Sequence, residues 1–171
     1  MRRQLERFSG LQHLVLAVGA VWLIATSPWI GMRRVVPENP TFWDLAHIGV
    51  GVVVAAIAAA YFVTQTLGGR WRQHFPWLLG RLGETGRDVA GLFRGRIPPS
   101  GGQGLFPVIQ GLALLLLLAA SVTGVGWLIA DGSRAALAWR DWHAITANAF
   151  GWCLLAHAIA GLAHVLEFAR D

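Results

Sequence analysis

Four long apolar stretches divide the chain, roughly residues 11–32, 43–67, 104–130 and 142–168, and the arginines, prolines and few acids collect between them. Each stretch is long enough to cross the ~30 Å hydrocarbon layer of a bilayer as a helix. Apolar residues run through them continuously, without the alternation that gives an outer-membrane barrel its polar interior, and a helix satisfies its own backbone in lipid. The pattern predicts an all-α fold, an integral membrane four-helix bundle forming a single domain over residues 1–171, with no internal repeat. The first stretch follows Arg2, Arg3 and Arg7 as a secretory signal would, but it is long enough to span and no small-residue cleavage site is clear after Ile24, so it reads as a retained helix.

Outside the spans, only the 67–103 connection is sizeable. There Phe75, Trp77, Leu78, Leu79, Leu82, Val89, Leu92 and Phe93 alternate with Arg81, Glu84, Arg87 and Asp88, which predicts an amphipathic helix along the membrane interface, with Gly83 and Gly86 against it. Ile97-Pro98-Pro99-Ser100-Gly101-Gly102 reads as an irregular turn into the third span. The other two connections are only about ten residues each, too short for a substrate-binding domain.

Composition supports lipid as the solvent: 55% of residues are hydrophobic, 13% are charged, and the mean hydropathy is +0.52. All fourteen basic residues are arginine. Ten of them lie at the N-terminus (Arg2, Arg3, Arg7), in the long connection (Arg70, Arg72, Arg81, Arg87, Arg94, Arg96) and at Arg170, whereas the two short connections hold Arg33, Arg34, Arg134 and Arg140. That asymmetry predicts that both termini and the 67–103 connection are cytoplasmic, in a multi-pass protein of a bacterial inner membrane. The basic pI of 11.2 is accounted for by insertion and anionic lipid, and no nucleic-acid module is visible. The nine tryptophans fall mostly near span ends and read as interfacial anchors. Cys153 has no partner for an internal disulfide, no Cys-x-x-Cys-His motif for covalent heme attachment is present, and Cys153 reads as a small core residue.

The candidate chemistry lies in the histidines. His13, His47, His143, His157 and His164 fall within or at the ends of the spans, where ionisable groups are costly and usually functional. For any one of them, a hydrogen bond to a neighbouring helix is the competing explanation. Jointly they say more. His143 and His157 are fourteen residues apart, nearly four turns, so one helix face offers two ligands ~21 Å apart. In the predicted topology His47 is level with His143, and His13 is nearer the level of His157. Two facing imidazoles at each of two depths is what bis-histidine heme requires, since the porphyrin supplies the four equatorial nitrogens. Zinc fits less well, because neither pair has the cysteine or carboxylate that would complete four ligands. Gly49, Gly51, Gly124, Gly126, Gly151 and Gly161 offer small surfaces to a flat macrocycle, as they would to ordinary helix packing. Arg7 on one side, and Arg33, Arg34 or Arg140 on the other, are candidates to pair with heme propionates, although each is equally a headgroup arginine.

These residues, Arg7-x5-His13, His47-x-Gly49, no histidine in the third span, and His143-x13-His157, resemble the bacterial cytochrome b561 superfamily over nearly the whole chain. That superfamily includes formate dehydrogenase gamma subunits, cytochrome b subunits of nickel-iron hydrogenases, and stand-alone di-heme proteins. Arg94-x-Arg96, Pro98-Pro99 and Thr123-Gly124 look most like the formate dehydrogenase gamma type. The resemblance implies two heme b groups with axial pairs His13/His157 and His47/His143, and quinone or quinol as redox partner near the cytoplasmic face. The type's Asn-Ala-Gly-Gln-Lys run before the third span is replaced here by Gly101-Gly102-Gln103-Gly104-Leu105, leaving Gln103 or Gln110 to supply a polar quinone contact. His164, seven residues beyond His157 on the same face, stands where a near-neutral pKa would serve quinone protonation, or where a histidine simply reaches the interface. The implied function is an electron-transfer subunit that works with a periplasmic oxidoreductase or iron-sulfur partner in a respiratory complex. A stand-alone superoxide:quinone oxidoreductase is a second reading, and a non-redox scaffold or transporter a third.

Overall fold

The computed structural model describes residues 2–67, 71–96, 98 and 104–168, with the side chains of residues 2–6 and 163–168 outside that description. Its elements are α1 (Arg2–Thr26), a 3-10 turn (Ser27–Trp29), α2 (Phe42–Leu67), α3 (Trp71–His74), a 3-10 turn (Pro76–Leu79), α4 (Gly83–Leu92), α5 (Leu105–Ile129) and α6 (Ala136–Phe168). Four of these helices, α1, α2, α5 and α6, are long and apolar enough to cross a membrane, as the pattern of apolar stretches predicts. Only 11–22% of the residues in each one's most apolar window are buried inside the protein, so most of that apolar surface is left for lipid to cover.

α1 lies along α2, α2 against α5, and α5 along α6. Where these helices meet, Leu16 and Ala20 of α1, Val54, Ala58 and Tyr61 of α2, Leu114 and Leu117 of α5 and Phe150 of α6 form the core. Close approach of α1 to α2 depends on a missing side chain: a Cβ at Gly19 would stand 2.6 Å from Val54 Cγ2. Nearer the chain termini the same seam turns polar. Ser9, Gln12 and Gln65 are buried there, and Gln65 Nε2 donates to Ser9 Oγ at 2.7 Å.

The end of the bundle that carries the two short connections is stitched by polar groups. Asp44, 1% exposed, accepts from Thr41 N (3.0 Å) and Thr41 Oγ1 (2.8 Å) through Oδ2, and from Gly31 N (2.9 Å) through Oδ1. Its own N–H donates back to Thr41 Oγ1 at 3.2 Å, so Thr41 and Asp44 form a reciprocal cap while Asp44 also ties down the turn after α1. The two short connections bind each other through Val36 N to Asp131 Oδ1 (2.9 Å), Arg34 Nη2 to Gly132 O (3.2 Å) and Gly132 N to Arg34 O (3.2 Å). Trp127 is buried and donates Nε1–H to Arg33 O at 2.8 Å, so this indole pins a loop to α5 instead of anchoring in the interface.

The long connection departs from expectation. In place of one amphipathic helix, the chain breaks at Pro76 and at Gly80, whose φ of 67° is left-handed, giving α3, a 3-10 turn and α4. Gly83 and Gly86 lie inside α4. Leu78, Leu82, Leu92 and Phe93 remain exposed around it. Asp88 of α4 accepts from Leu105 N at 2.8 Å and caps α5, while the His74 carbonyl of α3 occupies the place a side chain at Gly111 would take. The fourth span also starts earlier than residue 142, at Ala136, because Gly132 (φ 75°) makes the preceding turn tight.

Replacing Asp44 strands three donors in a buried turn, so Asp44→Ala is expected to cost about 1–3 kcal/mol. A fall in apparent Tm of the purified protein in detergent micelles checks this, and an unchanged Tm would show that the cap is dispensable.

Candidate cofactor site

Because α6 lies along α5 and α1 along α2, the histidines of α6 face those of α1 and α2 across the bundle. The structure brings His47 of α2 to His143 of α6, with ring centroids 6.3 Å apart and planes at 84°. At a second level it brings His13 of α1 to His157 of α6, at 6.2 Å and 68°. Two imidazoles binding one metal from opposite sides need two metal–nitrogen bonds of about 2 Å plus half a ring on each side, roughly 6 Å between centroids. Direct ring stacking would not require the same distance to recur where α6 faces two different helices.

The rings are held differently. His143 Nδ1 lies 2.9 Å from Ala120 O, so it carries the proton and donates, leaving the Nε2 lone pair free to bind a metal. Gly124 gives that ring its place, since a Cβ there would stand 3.0 Å from His143 Cε1. His47 Nδ1 is buried with no hydrogen-bond partner, a cost that calls for explanation in an apolar span. His157 is half-buried, and His13 is exposed beside Tyr61, with ring centroids 6.2 Å apart.

A cavity of about 350 Å³ opens between His47 and His143, walled by Gly51, Ala120, Gly124 and Phe150, with Arg140 at its margin. Apolar walls, two facing imidazoles and a cation at the rim fit a flat, anionic-edged macrocycle with two axial ligands. Among the described residues no three histidine, cysteine or acidic side chains gather to hold a bare metal ion.

The remaining candidates are placed less tellingly. Arg7 is exposed on α1, six residues before His13. Arg140 stands 3.7 Å from Asp141 Oδ1, and the Arg34 guanidinium is engaged by Gly132 O. Gln110 is half-buried near the start of α5. Gln103 lies outside the described residues, as does the side chain of His164 on α6. Of the six glycines, Gly124 meets a histidine ring, Gly126 the Trp139 ring, and Gly49, Gly51 and Gly161 meet nothing within 4 Å. Sequence reasoning missed Ala120, which serves through its backbone carbonyl and so leaves no signal. It also missed Thr146, whose hydroxyl lies 3.1 Å from that of Thr123.

The family model for prokaryotic cytochrome b561 matches residues 5–169. The chain belongs to the prokaryotic cytochrome b561 family. No curated protein and no solved structure matches it significantly. Membership makes this cytochrome b561 a multi-pass membrane protein that binds b-type heme and carries electrons.

A side chain at Gly124 displaces the His143 ring. Gly124→Val is therefore expected to reduce heme per chain, whereas Gly86→Ala in α4, where a Cβ meets nothing within 4 Å, leaves it unchanged. Pyridine hemochrome assay against protein concentration distinguishes the two.

Proposed function

We propose that His47 with His143, and His13 with His157, are the axial ligands of two b hemes, and that the chain conducts electrons across the membrane between a quinone site and a partner oxidoreductase. The single observation that carries this reading is the recurrence of a ~6 Å facing imidazole pair at two depths, the span that bis-histidine ligation demands. Heme supplies the one-electron chemistry, and the protein supplies ligands, orientation and a dry surround. His143 is set in the metal-binding tautomer by Ala120, and Arg140 at the rim of the cavity is placed to offset propionate charge. Arg7 is the counterpart for the other pair, near the start of α1.

The arginine asymmetry supports termini and a 67–103 connection in the cytoplasm of a bacterial inner-membrane protein, with the His13/His157 pair the one nearer that face. Quinone then meets the chain there, with His164, Gln103 and Gln110 as contacts. The short connections at the opposite end leave no room for a substrate domain, so electrons enter or leave through another subunit, an iron-sulfur protein of a respiratory complex, as the likeness to formate dehydrogenase gamma and hydrogenase cytochrome b subunits implies. The stand-alone superoxide reading needs a free cationic patch. Asp131 and Asp141 lie among the four arginines of that end and the Arg34 guanidinium is taken by Gly132 O, so nothing favours it.

A dithionite-reduced minus air-oxidised spectrum with heme quantified per chain tests the proposal. Two b hemes are expected. His47→Ala or His143→Ala should remove one and leave the other, and His13→Ala or His157→Ala the reverse. A colourless folded protein, or loss of both hemes from each single change, defeats the two-site arrangement.

A further inference from the structure

The Ala120 carbonyl is more contested than an ordinary helix carbonyl. It lies inside α5, where it serves the helix ladder; it also accepts from His143 Nδ1 at 2.9 Å and from Thr123 Oγ1 at 3.0 Å. A carbonyl oxygen has two lone pairs, so whatever the Thr123 hydroxyl takes from it weakens what is left for the His143 N–H. Thr123 has a single proton and three acceptors within reach: Ala119 O at 2.7 Å, Ala120 O at 3.0 Å and Thr146 Oγ1 at 3.1 Å across the helix interface. The Thr146 hydroxyl has its own alternatives, Trp142 O at 2.8 Å and His143 O at 3.1 Å.

We propose that Thr123 is a positioning residue that sets the electron density on His143, and so the reduction potential of the site formed by His47 and His143, by competing for the Ala120 carbonyl, with Thr146 governing how much of the Thr123 proton reaches it. This rests on the heme-ligand reading of that pair.

The sign follows from the hydrogen bonds. A stronger acceptor on Nδ1–H makes the imidazole a better donor at Nε2, which favours the oxidised iron and lowers the potential. Removing the Thr123 hydroxyl returns Ala120 O to His143, so Thr123→Val moves the potential of this site negative. Removing the Thr146 hydroxyl takes away the competing acceptor and turns the Thr123 proton fully onto Ala119 O and Ala120 O, so Thr146→Val moves it positive. Thr123→Ser keeps the donor and stays near wild type. A packing role predicts neither opposite signs from two isosteric changes nor rescue by serine.

The test is a spectroelectrochemical titration of the purified full-length protein in detergent, resolving the two b components, with His47→Ala identifying which component belongs to this pair. The expected result is a negative shift in Thr123→Val, a positive shift in Thr146→Val, a near-native Thr123→Ser, and a fixed potential for the His13/His157 component throughout. Unchanged potentials with both hemes present, or shifts of the same sign in both valine variants, overturn the proposal and leave the ligand reading standing. A wild-type protein without heme overturns both. Should Thr123→Val lose its heme, the sign of the Thr146→Val shift decides alone, positive in support and negative or absent against.

Discussion

An imidazole placed in hydrocarbon has lost the water that would solvate its two nitrogens, and a bundle that carries several of them must satisfy or use each one. Two opposite solutions are visible in the His47/His143 pair. His143 spends Nδ1 on a backbone carbonyl of the neighbouring helix, while His47 keeps Nδ1 buried and unpaired. The rings of each pair face one another at about 6 Å, across the gap between helices that pack tightly. α1 on α2 and α5 on α6 are close pairs; the histidine pairs bridge between them.

Small residues serve the close pairs and the ring sites in distinct ways. Gly19 lets Val54 approach and draws α1 onto α2. Gly124 does something else, clearing space for the His143 ring, and Gly126 receives the Trp139 ring two residues closer to the α5–α6 connection. With two glycines of α5 each holding a ring of α6, a slide of one helix along the other would cost ring packing and the Ala120 hydrogen bond together. The opposite constraint comes from the connections, where Asp44, Asp131 and the Trp127 indole hold the loops with side-chain hydrogen bonds, so the end of the bundle nearest His47 and His143 cannot splay.

The four spans were legible because twenty or more continuous apolar residues admit few other structures, and the two levels because fourteen residues is nearly a whole number of helical turns. What stayed hidden was of two kinds. Some of it had a local signal that was overlooked: Thr41-x-x-Asp44 ahead of an apolar run is a capping pattern, and Pro76 followed by Gly80 breaks any helix drawn through them. The rest had no local signal. Ala120 acts through a carbonyl, Trp127 through a partner 94 positions away, and Asp88 through the start of a helix 17 residues on, and pairing of that kind is decided only when helices dock.

The two histidine pairs share residue type and ring spacing, yet their surroundings are unlike. One lies in an apolar cavity with a cation at its rim and a hydrogen-bonded ring; the other has an exposed His13 beside Tyr61, close to a seam of buried amides and a serine. Reduction potential responds to burial, local charge and the hydrogen bond on the distal ring nitrogen, all of which differ here. Like residues at like spacing therefore do not make identical sites. On the proposed two-heme reading, that inequivalence biases which site holds the electron, and it is built from helix packing and backbone carbonyls that the histidine pattern alone does not reveal.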